Sequence, residues 1–297
     1  MSIWTSIRRL FGGGRPGYEI EQLAERLEMT VEELRAIQPR YRSFTVPKRS
    51  GGSRTIDAPE DRLKLIQRRI LYRVLGGLRA HRCAHGFERG RSIVTNARPH
   101  TNMRVVIGLD LRDFFPTTDA RRVQRYLRFI GWSRAAAREI VRLTTWQGGL
   151  PQGAPTSPRL SNLVNYRLDA RLDGLARSFG GHYTRYADDI TISLSEDRHE
   201  QVFTVTRVAR SIVRDFGYEV NERKGGVRRR HQRQQVTGLV VNEGIALPRE
   251  TRRWLRAVEH HLRTRGSCSL AEDELQGWLA YVSMVHRQGA GAGIPDA

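Results

Sequence analysis

Two adjacent carboxylates, Asp188 and Asp189, lie between two short runs of residues with the character of β-strands. The second run, I-T-I-S-L at 190–194, alternates apolar and polar side chains and is rich in β-branched residues. The sequence therefore predicts a hairpin with both aspartates at its tip. Because neighbouring carboxylates repel each other, such a pair is favoured mainly where cations are held, and two Mg²⁺ ions are typical of nucleotidyl transfer. Most isolated Asp-Asp pairs lie in solvated turns, so the rest of the chain must decide between these interpretations.

The charge of the chain indicates a polyanionic partner. The 297 residues carry a formal net charge of +20 and a pI of about 11.1, for which nucleic acid is the simplest partner. Only three of the 51 basic residues are lysines, namely Lys48, Lys64 and Lys224. This bias toward arginine is typical of a GC-rich genome. Lysine can release a proton and arginine usually cannot, so chance survival competes with function for these residues. Function is favoured for Lys48 and Lys224, whereas an ion pair with an acid explains Lys64, which lies on a predicted helix.

Length and composition predict a soluble, cytoplasmic protein with one large domain or two moderate ones. No apolar run is long enough to span a membrane, and no signal peptide is recognisable. The two cysteines are too few for a disulfide framework and lack the spacing of a metal site.

Helix-like and strand-like patterns alternate along the chain, which predicts an α+β fold. Helical periodicity extends over Tyr18–Ile37, and Phe44–Ile56 is predicted to be a hairpin that turns at Gly51-Gly52. Further helices are predicted at Asp61–Leu78, Asp119–Phe129, Arg134–Thr145, Ser161–Phe179, Gln201–Phe216, Arg252–Arg265 and Leu270–His286. Further strands are predicted at Val105–Leu111, Tyr218–Val220 and Val236–Val241.

A second carboxylate cluster lies at the end of the predicted strand at 105–111. Asp110 follows an apolar run, where a charge is costly unless it is paired or bound to a metal. Taken alone, Asp110 is better explained as an ordinary strand-end or capping aspartate. Together with Asp188 and Asp189 it gives a strand aspartate facing a hairpin Asp-Asp pair. That is the three-carboxylate layout of a polymerase palm.

Eight motifs in order make the chain resemble a reverse transcriptase, and specifically a bacterial retron reverse transcriptase. The resemblance covers roughly Tyr41–His286. The motifs are Y-x-x-F-T-V-P-K-R-S-G-G-S-R-T-I-D-A-P from Tyr41, L-K-L-I-Q-R-R-I-L, H-G-F-E-R-G-R-S-I at 85–93, L-D-L-R-D-F-F-P, P-Q-G-A-P-T-S-P, Y-A-D-D, N-E-R-K at 221–224 and V-T-G-L-V-V-N at 236–242.

The resemblance implies the catalytic and metal-binding residues. In the family, the counterparts of Asp110, Asp188 and Asp189 hold two Mg²⁺ ions, and Leu111 belongs to the same metal site. Lys224 matches the lysine that is proposed to protonate the departing pyrophosphate as a general acid. The alternative for Lys224 is a loop lysine that only binds phosphate.

The resemblance also implies a site for the incoming nucleotide. Phe115 corresponds to the residue that packs under the sugar and excludes a 2′-OH, while Phe114, on the opposite face of an extended segment, is expected in the core. Gln152 and Gly153 belong to the loop beside the nucleotide, where glycine allows a close approach of the backbone. The triphosphate is expected to be clamped by basic residues of the predicted fingers hairpin, Lys48 and Arg54.

Two further matches narrow the resemblance to retron enzymes. Residues 96–100 fit their Asn-Ala-x-x-His signature, and residues 236–238 fit their Val-Thr-Gly signature. Both are associated in that family with recognition of a cognate structured noncoding RNA. The residues implied in RNA contact are Asn96, His100, Val236, Thr237 and Gly238. For Asn96 and His100, a structural turn is the alternative.

A basic run precedes the second signature and is predicted to contact RNA phosphates. It consists of Arg228, Arg229 and Arg230, with His231 and Arg233 close by. Such runs are more often solvated surface, but here the run accompanies a net charge of +20 and the Val-Thr-Gly signature.

The implied fold is a right hand with fingers, palm and a short helical thumb. The expected domains are an N-terminal helical extension at 1–40, fingers at 41–104, a palm at 105–243 with a fingers insertion at about 119–150, and a thumb with tail at 244–297.

The implied function is RNA-templated DNA synthesis from dNTPs on a structured noncoding RNA. Retron enzymes prime this synthesis from an RNA 2′-OH and produce a branched RNA–DNA, called msDNA. Family membership also implies antiphage defence, with a separate effector protein held in check by the complex. Two alternatives stay open: another prokaryotic lineage, such as a diversity-generating or defence polymerase, and a protein that acts chiefly as an RNA-binding scaffold or antitoxin.

Overall fold

The computed structural model describes residues 18–47, 51–265 and 270–289, which form two compact units. Unit 1 takes the described residues within Met1–Ala80 and Asp113–Tyr166, and unit 2 takes those within His81–Arg112 and Arg167–Ala297. Lys48 and both chain ends lie outside the described residues. The division into fingers, palm and thumb stays a prediction. In the described part of the chain, no helix has the length and apolar character needed to cross a membrane.

The elements mix helices with short antiparallel sheets, as an α+β fold requires. The helices are α1 (Ile20–Leu27), α2 (Val31–Ala36), α3 (Asp61–Arg69), α4 (Ile93–Ala97), α5 (Phe114–Thr117), α6 (Ala120–Phe129), α7 (Arg134–Thr144), α8 (Ser157–Val164), α9 (Tyr166–Ser178), α10 (His199–Asp215), α11 (Arg249–Arg265) and α12 (Glu272–Gly289). The strands are β1 (Tyr41–Pro47), β2 (Ser53–Pro59), β3 (Val105–Asp110), β4 (Gly181–Tyr186), β5 (Asp189–Leu194), β6 (Gly226–Arg229), β7 (Gln235–Val236) and β8 (Leu239–Val240).

The first helical region of unit 1 is two helices rather than one. Glu28 has a left-handed backbone, with φ of 56°, and ends α1. Thr30 then caps α2 with a capping box, in which its hydroxyl accepts from the Glu33 amide and the Glu33 carboxylate accepts from the Thr30 amide. The periodicity was continuous because Leu23 and Leu34 both face the same core. Sequence periodicity alone therefore missed the break.

The hairpin of β1 and β2 confirms the strand prediction for this part of unit 1. Phe44 pairs with Ile56 in an antiparallel register. Gly51 and Gly52 have φ of +84° and +77°, values that glycine adopts without steric cost. The turn chemistry read from the sequence is thus present in the described part of the hairpin.

The core of unit 1 comes from the apolar faces of its helices. Leu127 of α6 is completely buried there, as is Leu143 of α7. The helix predicted at 61–78 is shorter: α3 ends at Arg69, and a π-helical turn follows at Ile70–Val74. The single helix predicted at 161–179 is instead α8 and α9, because α8 ends at Val164 and the next residue, Asn165, has a non-helical backbone.

Unit 2 is built on a four-stranded antiparallel sheet with the order β4-β5-β3-β6. Its edge strand β6 was not predicted, since residues 228–230 had been interpreted only as a basic run. Gly225 and Gly108 allow the approach of this edge to β3, because a Cβ on Gly225 would lie 2.3 Å from the Gly108 carbonyl oxygen. The strand predicted at 218–220 is wrong: Val220 makes only an isolated bridge with Leu111.

A small hairpin replaces the single strand that was predicted at 236–241. Val236 of β7 pairs with Leu239 of β8, and the two residues between them form the turn. Thr237 and Gly238 both have positive φ, +47° and +83°, as a two-residue hairpin turn requires. Threonine rarely adopts this conformation, which explains why the turn was missed.

We expect Leu127→Ala to lower the free energy of unfolding by about 2–5 kcal/mol, because it leaves a cavity in a fully buried site. The matched control is Phe129→Ala, two residues later on α6, where the ring is 56% exposed. This control should change stability by no more than about 0.5 kcal/mol. Urea unfolding measures both. Equal losses would contradict the assignment of this face of α6 to the core.

Candidate active site

The hairpin of β4 and β5 carries the Asp-Asp pair at its tip. Tyr186 pairs with Asp189, so Ala187 and Asp188 form a two-residue turn. Ala187 has φ of +56° and is buried against the loop before α4, where a Cβ on Gly86 would lie 2.7 Å from the Ala187 nitrogen. Only a residue without a side chain fits at position 86. The tip is therefore held by close backbone packing, and it presents Asp188 in a defined place.

The third aspartate is brought to the same place by main-chain pairing. Asp110, the last residue of β3, is the cross-strand partner of Asp189 on β5. The next residue, Leu111, donates from its amide to the Asp188 carbonyl oxygen at 2.9 Å. Opposed residues of an antiparallel pair have Cβ atoms about 5 Å apart. The structure thus brings together Asp110, Leu111, Asp188 and Asp189.

The electrostatics of this cluster are unfavourable to three carboxylates. The pKa of Asp189 is raised from 3.8 to about 6, first by burial and then by the charges of Asp188 and Asp110. Lys224 acts in the opposite direction, with its Nζ 3.3 Å from Asp110 Oδ2. The ammonium is about half exposed, so its compensation is partial. The cluster retains a negative excess.

Asp110 is also oriented by the loop that carries Lys224. Asn221 donates from Nδ2 to Asp110 Oδ1 at 3.1 Å and from its amide to the Asp110 carbonyl oxygen at 2.8 Å. The Lys224 amide in turn donates to the Asn221 carbonyl oxygen. Asn221 was part of a sequence motif but had no predicted role. Its contribution is to fix the carboxylate and the lysine relative to each other.

The cluster fits a hard divalent cation by its donor chemistry. Among the residues described, no three His, Cys, Asp or Glu side chains are already arranged as a set of metal ligands. The available donors at this site are carboxylate oxygens, the type that Mg²⁺ prefers. A cation would relieve the repulsion that raises the pKa of Asp189. The raised pKa is therefore the observation that supports a cation site here.

A fully buried ion pair lies behind the hairpin and was missed by sequence reasoning. The Arg185 guanidinium contacts both carboxylate oxygens of Asp169, at 2.7 and 2.8 Å, and both side chains are completely buried. Tyr183 donates from its hydroxyl to the same carboxylate at 2.7 Å. The only sequence signal was a charged residue within an otherwise buried strand. Asp169, on α9, gave no signal at all.

Arg185 links this ion pair to the turn that carries Asp188. Its Nη1 donates to the Ala187 carbonyl oxygen at 3.1 Å. Its main chain is paired on the other side, because its amide donates to the Cys83 carbonyl oxygen and its carbonyl oxygen accepts from the His85 amide. The turn is thus attached to α9 and to the segment at 83–85. We infer that this anchoring fixes the position of Asp188.

The predicted nucleotide-contacting residues belong to unit 1, whereas the aspartates belong to unit 2. Phe114 is buried, and Phe115 is half-buried with its ring centroid 5.3 Å from that of Phe114. The two residues begin the short helix α5, so the expectation of an extended segment is wrong. The reason is the left-handed backbone of Asp113, with φ of 44°, which turns the chain into the helix.

The loop at 151–156 lies against the strand β2 of the same unit. The Gln152 carbonyl oxygen accepts from the Asp57 amide at 2.9 Å. A Cβ on Gly153 would lie 2.9 Å from Ile56 Cγ2, and the φ of Gly153 is +138°. Both the space and the backbone therefore require glycine at this position, where the close neighbour is β2; the predicted approach to a nucleotide stays a prediction. Arg54 is exposed on β2, and Lys48 lies outside the described residues.

The residues of the first retron signature are inside the protein. Asn96 and His100 both have no exposed surface. Burial lowers the pKa of His100 to about 3. Neither side chain offers a surface to RNA in this structure, so their direct contact with RNA is not supported by their placement.

The second signature and the basic run are more accessible. Val236 is buried, but Thr237 is partly exposed and Gly238 is exposed in the β7–β8 turn. Arg228 and Arg230 are exposed at the end of β6. Around Arg230 lies a shallow cleft of about 820 Å³, whose basic lining residues are Arg104, Arg198, Arg230 and His231. Arg229 is partly buried and pairs with Asp197 at 3.0 Å.

Known proteins of similar sequence share one family. A family model described as "Reverse transcriptase (RNA-dependent DNA polymerase)" matches residues 46–241. The chain is 42% identical over 268 residues to the Retron Mx65 reverse transcriptase of Myxococcus xanthus, with 84% of this chain and 62% of that protein covered. It is 37% identical over 306 residues to the Retron Mx162 reverse transcriptase of the same organism, with 89% and 63% covered. The chain thus spans less than two thirds of these two relatives.

A third relative is covered more completely. The chain is 33% identical over 273 residues to the Retron Ec86 reverse transcriptase of Escherichia coli, with 90% of this chain and 84% of that protein covered. Among solved structures, telomerase from Candida albicans in complex with a fragment of telomeric RNA matches with a TM-score of 0.52 at 12% identity, over 75% of this chain and 49% of that chain. This likeness concerns the fold alone. The predicted α+β right-hand polymerase fold is confirmed.

We expect Asp169→Asn to lower the free energy of unfolding by about 3–5 kcal/mol, because it leaves the buried Arg185 charge without its counter-charge. The matched control is Asp215→Asn, which breaks a pair with Arg171 in which both side chains are 50% exposed. That change should cost at most about 1 kcal/mol. Chemical denaturation measures both. Similar losses would show that the buried pair does not stabilise unit 2.

The raised pKa of Asp189 predicts a pH dependence of stability in chelator-treated protein. The folded state binds the Asp189 proton more tightly than the unfolded state does. The contribution of Asp189 to the free energy of unfolding is therefore most favourable below pH 3.8, declines with rising pH and levels off above about pH 6. The decline amounts to at most about 3 kcal/mol. Measuring the free energy of unfolding of the wild type and of Asp189→Asn at pH 4.5 and at pH 7 isolates the contribution of Asp189. An identical pH dependence of the two proteins would contradict the shift.

Proposed function

The chain belongs to the reverse transcriptase family and, within it, to the retron reverse transcriptases, and from that premise we propose that it synthesises DNA on an RNA template. The observation that carries the proposal is the carboxylate cluster on β3 and the β4–β5 hairpin, where Asp110 and Asp189 are cross-strand partners and Asp188 occupies the turn. The raised pKa of Asp189 supports a cation-binding role for these carboxylates.

The metal in this proposal is Mg²⁺, with two ions held by Asp110, Asp188 and Asp189 and with Leu111 in the same site. When bound, such ions activate the primer hydroxyl and neutralise the triphosphate. Asn221 orients Asp110 through its side-chain amide. Lys224 holds a proton on Nζ, 3.3 Å from Asp110 Oδ2, and is proposed to give it to the departing pyrophosphate. Arginine could not replace it in that step.

Residues of unit 1 are proposed to select and bind the dNTP. Phe115 is half-buried beside Phe114, so its ring has limited freedom, which suits a steric barrier to a 2′-OH. Gln152 and Gly153 form a main-chain surface against β2, and position 153 requires glycine. Arg54, exposed on β2, is proposed to contact the triphosphate together with Lys48.

The proposed partner is a structured noncoding RNA. The net charge of +20 supports a polyanionic partner, and the exposed arginines at the end of β6 supply donors for phosphates. We propose that Arg228, Arg230 and the exposed Thr237–Gly238 turn contact this RNA. Arg229 contributes less in this account, because Asp197 already engages its guanidinium.

The identity with retron enzymes supports a more specific product. We propose that synthesis is primed from an RNA 2′-OH and gives a branched RNA–DNA, the msDNA of that family. A role in antiphage defence with a separate effector protein is proposed on the same ground. Identities of 33–42% with named retron enzymes favour this lineage over diversity-generating and other defence polymerases. The paired carboxylates favour an enzyme over a passive RNA scaffold.

Asp188→Asn should abolish DNA synthesis and leave RNA affinity within about two-fold, because it removes charge at the turn and not from the basic surface. The measurements are primer extension on poly(rA)·oligo(dT) with Mg²⁺ and a filter-binding titration with RNA. Asp273→Asn, at an exposed position of α12, is the control and should keep wild-type activity. Robust extension by the Asp188→Asn protein would refute the proposed site.

Lys224→Arg should preserve the apparent dNTP affinity while slowing the chemical step by about 10²–10⁴-fold, as the loss of a general acid does. Arginine keeps the charge near Asp110 but does not release a proton. Single-turnover incorporation of one nucleotide measures the step. Lys64→Arg, at an exposed position of α3, is the control. If Lys224→Arg reacts at the wild-type rate, Lys224 is only a phosphate contact.

A further inference from the structure

His100 is bonded to both strands of the hairpin that carries Asp188 and Asp189. Its Nδ1 lies 2.7 Å from Ser193 Oγ on β5, and its Nε2 lies 2.8 Å from Thr184 Oγ1 on β4. The imidazole is completely buried and thus bridges two neighbouring strands from one side of the sheet. A side chain that uses both ring nitrogens in this way has no polar atom left for RNA.

Asn96 lies on the same side of the sheet as this bridge. Its main-chain carbonyl oxygen accepts from Thr184 Oγ1 at 3.3 Å. Its side-chain amide is fully buried, and neither Oδ1 nor Nδ2 has a hydrogen-bond partner among the described residues. The contact of residue 96 with the hairpin is therefore made by the backbone, which places α4 directly against β4.

The same segment also contacts the second signature. Thr237 donates from Oγ1 to the Ile93 carbonyl oxygen at 3.2 Å. Val94 and Ala97 of α4 are completely buried in one apolar cluster with Val236 and Leu239. The turn at Thr237–Gly238 is exposed at its tip. An RNA bound at this turn would therefore contact a hairpin that packs directly against α4.

The C-terminal helix contacts this segment as well. Ser92 caps the N-terminus of α4 and donates from Oγ to Gln288 Oε1 at 2.5 Å. The Arg98 guanidinium donates to the Gln288 carbonyl oxygen, and Val285 of α12 joins the apolar cluster of α4. The segment at 92–100 thus contacts the catalytic hairpin, the Thr237–Gly238 turn and α12.

We propose that His100 is a positioning residue for the catalytic hairpin rather than an RNA contact, and that the segment at 92–100 connects the RNA-facing Thr237–Gly238 turn to that hairpin. The bridge to Thr184 and Ser193 fixes β4 and β5, the two strands joined by the turn that carries Asp188. RNA held at the turn then acts on the carboxylates through α4. The expected effect on kcat rests on the proposed DNA synthesis, whereas the positioning of the hairpin by His100 does not.

The kinetic test separates positioning from RNA contact. His100→Phe fills the site without either hydrogen bond, and Ser193→Ala removes one partner only. Both should lower kcat on poly(rA)·oligo(dT), the first by about 10–100-fold, with KM for dTTP unchanged. Affinity for the RNA that co-purifies with the wild type should stay within two-fold. A ten-fold loss of that affinity with unchanged kcat would overturn the proposal. Ser178→Ala, exposed on α9, is the control.

Hydrogen exchange tests the structural part without any catalysis. Amides at 186–190 should exchange at least about ten-fold faster in His100→Phe than in the wild type. Ser193→Ala should give a smaller increase, and it provides the test if His100→Phe fails to fold. Thr237→Val removes the bond to Ile93, and it should accelerate exchange both at 92–100 and at 186–190. Wild-type protection at 186–190 in all three variants would overturn the inference, even if the wild-type chain makes no DNA.

Discussion

The buried ion pair of Arg185 and Asp169 is the interaction on which the candidate site depends. Both side chains are completely removed from water, which is costly unless every donor and acceptor is used. The bidentate contact, the Tyr183 hydroxyl and the Ala187 carbonyl oxygen give each guanidinium nitrogen and each carboxylate oxygen a partner. These bonds hold α9 and the strand β4 together. The turn with Asp188 is held by the same guanidinium, which donates to the Ala187 carbonyl oxygen in that turn.

This rigidity has a counterpart in the repulsion among the three aspartates. Main-chain pairing between β3 and β5 holds Asp110 opposite Asp189 although their charges disfavour it. Lys224 offsets part of the repulsion, and a divalent cation would offset more. The anchoring of the hairpin by Arg185 opposes the repulsion among the aspartates. In a loosely held turn, that repulsion would move the carboxylates apart. A preorganised anionic cluster is what a metal-dependent polymerase requires.

The sequence predicted those features that depend on local pattern. The aspartates, the hairpin tip and the α+β class followed from alternation, strand ends and motif order. Other features depended on partners distant in the chain. Asp169 meets Arg185 only through the packing of α9, and His100 is buried because Thr184 and Ser193 lie opposite it. The strand β6 was hidden by its arginines, since an edge strand tolerates exposed charges. The Thr237 turn was hidden by a residue type that rarely adopts positive φ.

The most direct test of the account is to sequence the nucleic acid that co-purifies with the wild-type chain and with Asp188→Asn. If the cluster on β3 and β5 performs RNA-templated synthesis, the wild type should carry a DNA complementary to part of a co-purifying RNA. The Asp188→Asn protein should carry the same RNA without the DNA. The account is contradicted if the wild type carries RNA alone, or if both proteins carry the same DNA.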